Sequence, residues 1–236
     1  MPYVDHVRRE IRFKVVYYGP GLGGKTTNLE CIHQRSHPSR RGKLIALNTE
    51  TERTLFFDLL PMELGVYQGY RVRMHLCTVP GQVAYDETRK LILRHVDGVV
   101  FVADSQRERL ADNVASFQNL GETLRSMGRL PDRIPTVVQF NKRDLPTSLG
   151  VDQLEAALPI PDHVPRQEAS AALGPGVFET LKLVTRACLQ TIPDPTQAPA
   201  GRTPAVLPKQ ESTRFHDGPT TATRNDDPAG TSHPAE

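Results

Sequence analysis

Along the first 192 residues, short apolar runs rich in β-branched residues alternate with stretches of helical period. Phe13–Tyr18, Leu44–Leu47, Val72–Val79, Gly98–Ala103 and Pro135–Phe140 read as strands, most of them apolar enough to be buried on both faces. Thr26–Arg35, Asp86–His95, Arg107–Met127, Val151–Ala157 and Gly176–Thr191 read as helices, the last with Phe178, Leu181, Val184 and Cys188 on one helical stripe. The order βαββαβαβαα predicts an α/β fold, a single doubly wound domain over residues 1–192. A parallel sheet is its natural host, with ligands at the carboxyl ends of the strands. No internal repeat is visible.

The pattern stops near Ile192. From Pro193 to Glu236 there are eight prolines in 44 residues, one aromatic (Phe215) and no hydrophobic periodicity. Such a segment cannot bury enough apolar surface to offset its chain entropy, so residues 193–236 read as a disordered, Pro-rich tail. Its charge is −2, which leaves the body at +4 of the chain's total of +2. That balance is too small to argue for nucleic acid, and the cluster Arg40, Arg41 and Lys43 reads as a solvated loop.

The longest apolar run, Val99–Ala103, is far short of the roughly 20 residues a membrane-spanning helix needs. No secretory signal opens the chain, and neither Pro2 nor the terminal His233-Pro234-Ala235-Glu236 offers a lipidation acceptor, so no direct membrane anchor is expected. Cys31, Cys77 and Cys188 are odd in number and lack metal-type spacing, which fits a cytoplasmic protein.

Gly19-Pro20-Gly21-Leu22-Gly23-Gly24-Lys25-Thr26 fits the phosphate-loop pattern, after an apolar strand and before a helix, where that pattern has to sit. Glycines let the backbone wrap close to phosphate oxygens, and the helix that continues through Thr27 adds the partial positive charge of its N-terminus. Lys25 is expected to reach the β- and γ-phosphates and Thr26 to ligate Mg²⁺. Pro20 has no N–H, so the donor arc starts at Leu22.

Base choice falls to Asn141-Lys142-Arg143-Asp144, which follows the strand Pro135–Phe140. A carboxylate at Asp144 can accept from both N1–H and the exocyclic amine of guanine, a pair that adenine does not present. Lys142 is expected to lie along the base and Asn141 to tie this loop to the phosphate loop. Between the two, Thr78-Val79-Pro80-Gly81-Gln82 closes a strand. Gly81 lets an N–H approach a γ-phosphate and Gln82 can orient a water, although a Pro-Gly turn is the bland alternative.

Over residues 8–191 these phrases, together with Thr49-Glu50-Thr51-Glu52-Arg53-Thr54-Leu55-Phe56-Phe57-Asp58, resemble the MglA family of Ras-like GTPases of gliding motility and cell polarity. The resemblance implies GTP and GDP as ligands with Mg²⁺ held by Thr26 and Thr54. It makes Gln82 a catalytic glutamine, Arg53 an arginine finger supplied in cis and Lys25 the third catalytic group. Ser170 and Ala171 look like a second guanine-contacting loop offering an N–H to the base's O6. The resemblance further implies a homodimeric roadblock-type activating protein, an exchange factor, polarity or motility effectors and concentration at a cell pole. Ras-like proteins usually carry aspartate three residues before the glycine of Pro80-Gly81, and this chain has Thr78, which leaves Mg²⁺ with fewer anionic partners.

The function expected is a slow GTPase acting as a nucleotide switch. A GTP-binding interaction module with negligible hydrolysis is the alternative, and an ATP-using kinase would require Asp144 to be irrelevant. Cys77 reads as a small buried hydrophobe and His75 as a strand-face residue. Phe56 and Phe57 fit either a core anchor or apolar surface that responds to the nucleotide.

Overall fold

The structure is a computed structural model, and it describes residues 2–47, 57–80 and 86–192. Strands β1 (Tyr3–Asp5), β2 (Glu10–Tyr18), β3 (Ile45–Leu47), β4 (Phe57–Tyr67), β5 (Tyr70–Thr78), β6 (Gly98–Asp104), β7 (Thr136–Asn141) and β8 (Arg166–Glu168) form one sheet. Its order is β3-β4-β5-β2-β6-β7-β8, and β1 pairs with the first residues of β2 on the side where β6 pairs with the last. Helices are α1 (Lys25–Arg35), α2 (Asp86–Leu93), α3 (Leu110–Ser126), α4 (Val151–Ala157) and α5 (Val177–Gln190).

From β5 across β2, β6 and β7 to β8 the pairing is parallel, as expected. At the other edge β3, β4 and β5 are antiparallel, so the sheet is mixed. The reason is local. Gln68 (φ 47°) and Gly69 (φ 80°) are both left-handed, and Tyr67 pairs with Tyr70 across them. Two such residues make a tight hairpin whose twist suits antiparallel neighbours. Strand β4 carries a period-2 pattern that the strand candidates above leave out, with Leu60, Met62, Leu64 and Val66 alternating with Pro61, Glu63 and Gly65, and its register slips between Glu63 and Gly65.

Alternation along β2 divides the core into two layers. Ile11, Phe13, Val15 and Tyr17 face the side covered by α1 and α5, while Val16 and Tyr18 face the side covered by α2, α3 and α4. Every residue of β6 is buried, which is why its sequence reads as an unbroken apolar run. The helical stripe predicted for α5 is met by Leu181, Val184 and Cys188, all on the core. Cys77 is buried on the opposite layer, and Phe57 packs half-buried beside it. Phe56 lies outside the described residues.

Candidate functional site

Because β2, β5, β6, β7 and β8 run in parallel, their carboxyl ends share one edge of the sheet. The strand order reverses at β2, which has β5 on one flank and β6 on the other, the kind of switch point where open α/β sheets take their ligands. The glycine-rich loop leaves β2 at this point and enters α1 directly. Gly19 (φ 146°) lies against β6, where a Cβ would stand 2.3 Å from the carbonyl oxygen of Val102. Gly24 (φ 96°) is the left-handed cap of α1, and a Cβ there would meet Asn141 Nδ2 at 2.2 Å. No other residue type fits either position without displacing backbone or the Asn141 amide.

Around this loop the donors and acceptors are held. Gly21 offers its carbonyl to Arg109 Nη2 at 2.6 Å, and Gly23 N–H donates to Pro20 O at 3.2 Å. Leu22 (φ 62°) stands at the tip, 88% exposed. Lys25 is buried and its Nζ donates to Gly19 O at 2.9 Å and Pro20 O at 2.6 Å. Burial drives its pKa down to about 8, with Arg89 and Arg109 pushing the same way and Asp58 pushing back. A cation so placed gains from an arriving anion. Thr26 is exposed and Thr27 half-buried in the first turn of α1, whose leading N–H groups have no carbonyl a turn earlier to bond.

Asn141, at the end of β7, joins three loops. Its Nδ2 donates to Gly23 O at 2.9 Å and its Oδ1 accepts from Ala171 N–H at 2.8 Å. The tie expected between this loop and the phosphate loop is therefore made, and it extends to the loop after β8. Lys142 (φ 66°) sends its Nζ 2.6 Å from Asp104 Oδ2, and Arg143 N–H donates to Ala169 O at 3.1 Å. With its neighbours pinned on both sides, Asp144 is left exposed at the site.

Ser170 N–H donates to Pro175 O at 2.9 Å and Ala171 N–H to Asn141 Oδ1 at 2.8 Å, bonds that place the loop after β8 beside the Asn141 loop. Arg53, Thr54, Gly81 and Gln82 lie outside the described residues.

Three groups that matter were not singled out from the sequence. Asp104 is fully buried at the end of β6 and holds Lys142; a carboxylate closing the most apolar strand was the available signal. Asn28 and Gln139 exchange hydrogen bonds of 2.9 and 3.0 Å behind the phosphate loop, and Gln139 also donates to Thr180. That pairing spans α1, β7 and α5, and nothing in the sequence announces it. Asp58, on β4, reaches Thr26 and Thr78 with its carboxylate.

No protein-family model matches the chain. It is 52% identical over 191 residues to the mutual gliding-motility protein MglA of Myxococcus xanthus, a match spanning 80% of this chain and 96% of that protein. The chain belongs to the MglA family of Ras-like small GTPases. A more distant likeness, 27% over 132 residues, relates it to ADP-ribosylation factor-like protein 4C of human and mouse, covering 53% of this chain and 66% of theirs.

Members of the Ras-like group bind guanine nucleotides with Mg²⁺, and the donor set here fits that ion. Thr26 and Asp58 bring a hydroxyl and a carboxylate together, hard oxygen donors of the kind Mg²⁺ takes beside phosphate oxygens, and Thr78 holds the carboxylate. Among the described residues no group of three or more His, Cys, Asp and Glu could hold a metal by itself.

Proposed function

We propose that the protein is a GTP/GDP switch that hydrolyses GTP slowly alone and controls cell polarity or gliding motility through partners that read its nucleotide state. The observation that carries this reading is the Asn141 junction, which ties the phosphate loop, the guanine-reading loop and the loop after β8 together at the strand ends. The 52% identity to a protein named for gliding motility supports the process.

In this reading Asp144 selects guanine and Lys142 lies along the base. Lys25, already short of a favourable anion, gains one in the phosphates, and the N–H groups of Leu22 and of Gly24 to Thr27 line the same anion. Thr26 and Thr54 hold Mg²⁺, which supplies charge neutralisation on the phosphates. Gln82 orients the attacking water and Arg53 meets the negative charge that develops in the transition state. GTP orders the segments carrying Thr54 and Gln82, and hydrolysis releases them. Residues 1–192 do this work in the cytoplasm, concentrated at a cell pole. A roadblock-type homodimer accelerates the reaction, an exchange factor resets it and effectors bind the GTP form.

Thr78 in place of the usual aspartate sustains a second reading, in which the chain binds GTP and scarcely turns it over. Single-turnover hydrolysis with and without a roadblock homodimer separates the two. Arg53→Ala and Gln82→Ala are expected to keep GTP binding and lose most of the stimulated rate, since an arginine finger contributes about 10³ to 10⁵ in rate. Full stimulation of Arg53→Ala would reduce that residue to a loop charge, and an unstimulated parent chain would favour the second reading.

A further inference from the structure

Thr78 leaves the end of β5 without a carboxylate, yet a carboxylate is there. The pairing Leu59↔Cys77, continued by one step, sets Asp58 of β4 directly across from Thr78. Asp58 N–H donates to Thr78 Oγ1 at 2.8 Å, and Thr78 Oγ1 donates in turn to Asp58 Oδ2 at 2.9 Å. The same Oδ2 accepts from Thr26 Oγ1 at 2.6 Å. One carboxylate oxygen therefore touches both the phosphate-loop hydroxyl assigned to Mg²⁺ and the residue that replaces the missing acid.

Asp58 Oδ2 and Thr26 Oγ1, hydrogen-bonded at 2.6 Å, place a carboxylate beside the hydroxyl of the phosphate loop, and both are hard oxygens of the kind Mg²⁺ takes. Thr78 is 3% exposed and bonded to Asp58 through both its accepting and its donating capacity, so it fixes the carboxylate's position and is not itself available as a charge.

We propose that Asp58 is the anionic partner of the nucleotide-bound Mg²⁺ in this chain, supplied from β4 in place of the end of β5, with Thr78 as its positioning residue. The inference rests on the GTPase reading above. It explains how a Ras-like site keeps a carboxylate beside the metal while its usual position holds a threonine.

The test is the release of fluorescent GDP from the full-length protein as free Mg²⁺ is titrated, a readout independent of hydrolysis. Asp58→Asn is expected to raise the Mg²⁺ concentration at half-effect about 10- to 100-fold, the loss usual when a metal's supporting group is removed. Adding Thr78→Asp to that variant is expected to bring the midpoint back towards the parent's. An unchanged midpoint in Asp58→Asn overturns the proposal, and so does a lowered one, which would mean that the carboxylate obstructs the metal.

Should Asp58→Asn not fold, the parent answers by itself. With Mn²⁺ and GDP bound and its aspartates labelled with ¹³C at the carboxyl, pulsed electron paramagnetic resonance should show a carboxylate carbon coupled to the metal, and absence of that coupling overturns the proposal. A parent that binds no guanine nucleotide, or releases it without regard to Mg²⁺, would instead remove the GTPase reading itself.

Discussion

Lys25 shows how a single residue is prepared for its ligand. In the nucleotide-free protein burial holds its pKa near 8, against 10.5 when unfolded. The unfolded chain therefore binds more protons between those values, and stability rises as pH rises from about 8 towards 10. An arriving phosphate restores the higher pKa, so binding takes up a proton. Nucleotide affinity is accordingly fullest below pH 8 and is lost as pH climbs above it. Calorimetry at pH 8 to 8.5 in buffers of different ionisation enthalpy should register a fraction of a proton absorbed per nucleotide, and Lys25→Met should abolish that component. At Asp144 the expected outcome is a change of base. Asp144→Asn puts an amide donor opposite guanine's own donors, so xanthosine nucleotides should compete in the variant where they fail in the parent. Guanine nucleotide bound equally well by the variant would place the base elsewhere.

Among the elements, β7 has the most consequential terminus. Its Asn141 is 1% exposed and bonds a carbonyl of the phosphate loop and an N–H of the loop after β8. Replacing it with alanine leaves Gly23 O and Ala171 N–H without that partner inside the protein, and each such orphan costs about 1–3 kcal/mol. Urea unfolding of Asn141→Ala without nucleotide should show a loss in that range or somewhat above it. Asn141→Asp keeps an acceptor for Ala171 and loses the donor to Gly23, so it should fall between the parent and alanine. A loss below about 0.5 kcal/mol in Asn141→Ala, the scale of an inert surface change, would mean that the three loops hold without the junction.

For the whole molecule, the two core layers are built from residues between Ile11 and Cys188, with Ile192 still packed against one of them. Nothing in the composition of residues 193–236 allows a further layer, since prolines and polar residues dominate and apolar residues recur with no period. Truncation after Ile192 is expected to leave both the melting temperature and GDP affinity within error of the full chain. A drop of several degrees would show that the segment contributes to the folded domain.

Much of this was legible in the chain order alone. Periodicity separated the buried parallel strands from the amphipathic helices because each has its own repeat of exposure, and α4 spans the very residues, Val151–Ala157, that the pattern predicts. The phosphate loop and the Asn141–Asp144 loop were readable because a backbone that must approach phosphate or a base restricts which residues can stand there. Strand β4 was passed over although Leu60, Met62, Leu64 and Val66 recur at every second position, because Pro61 and Gly65 between them read as breakers of a strand. Asp58 was not readable, since it is 20 residues from Thr78 in sequence and meets it only through the β4–β5 register. Asp104 with Lys142, and Asn28 with Gln139, are likewise partnerships of separate strands and helices. Local patterns determine which element a segment forms; which polar groups meet at the site depends on how strands align, and that alignment exists only once the sheet is assembled.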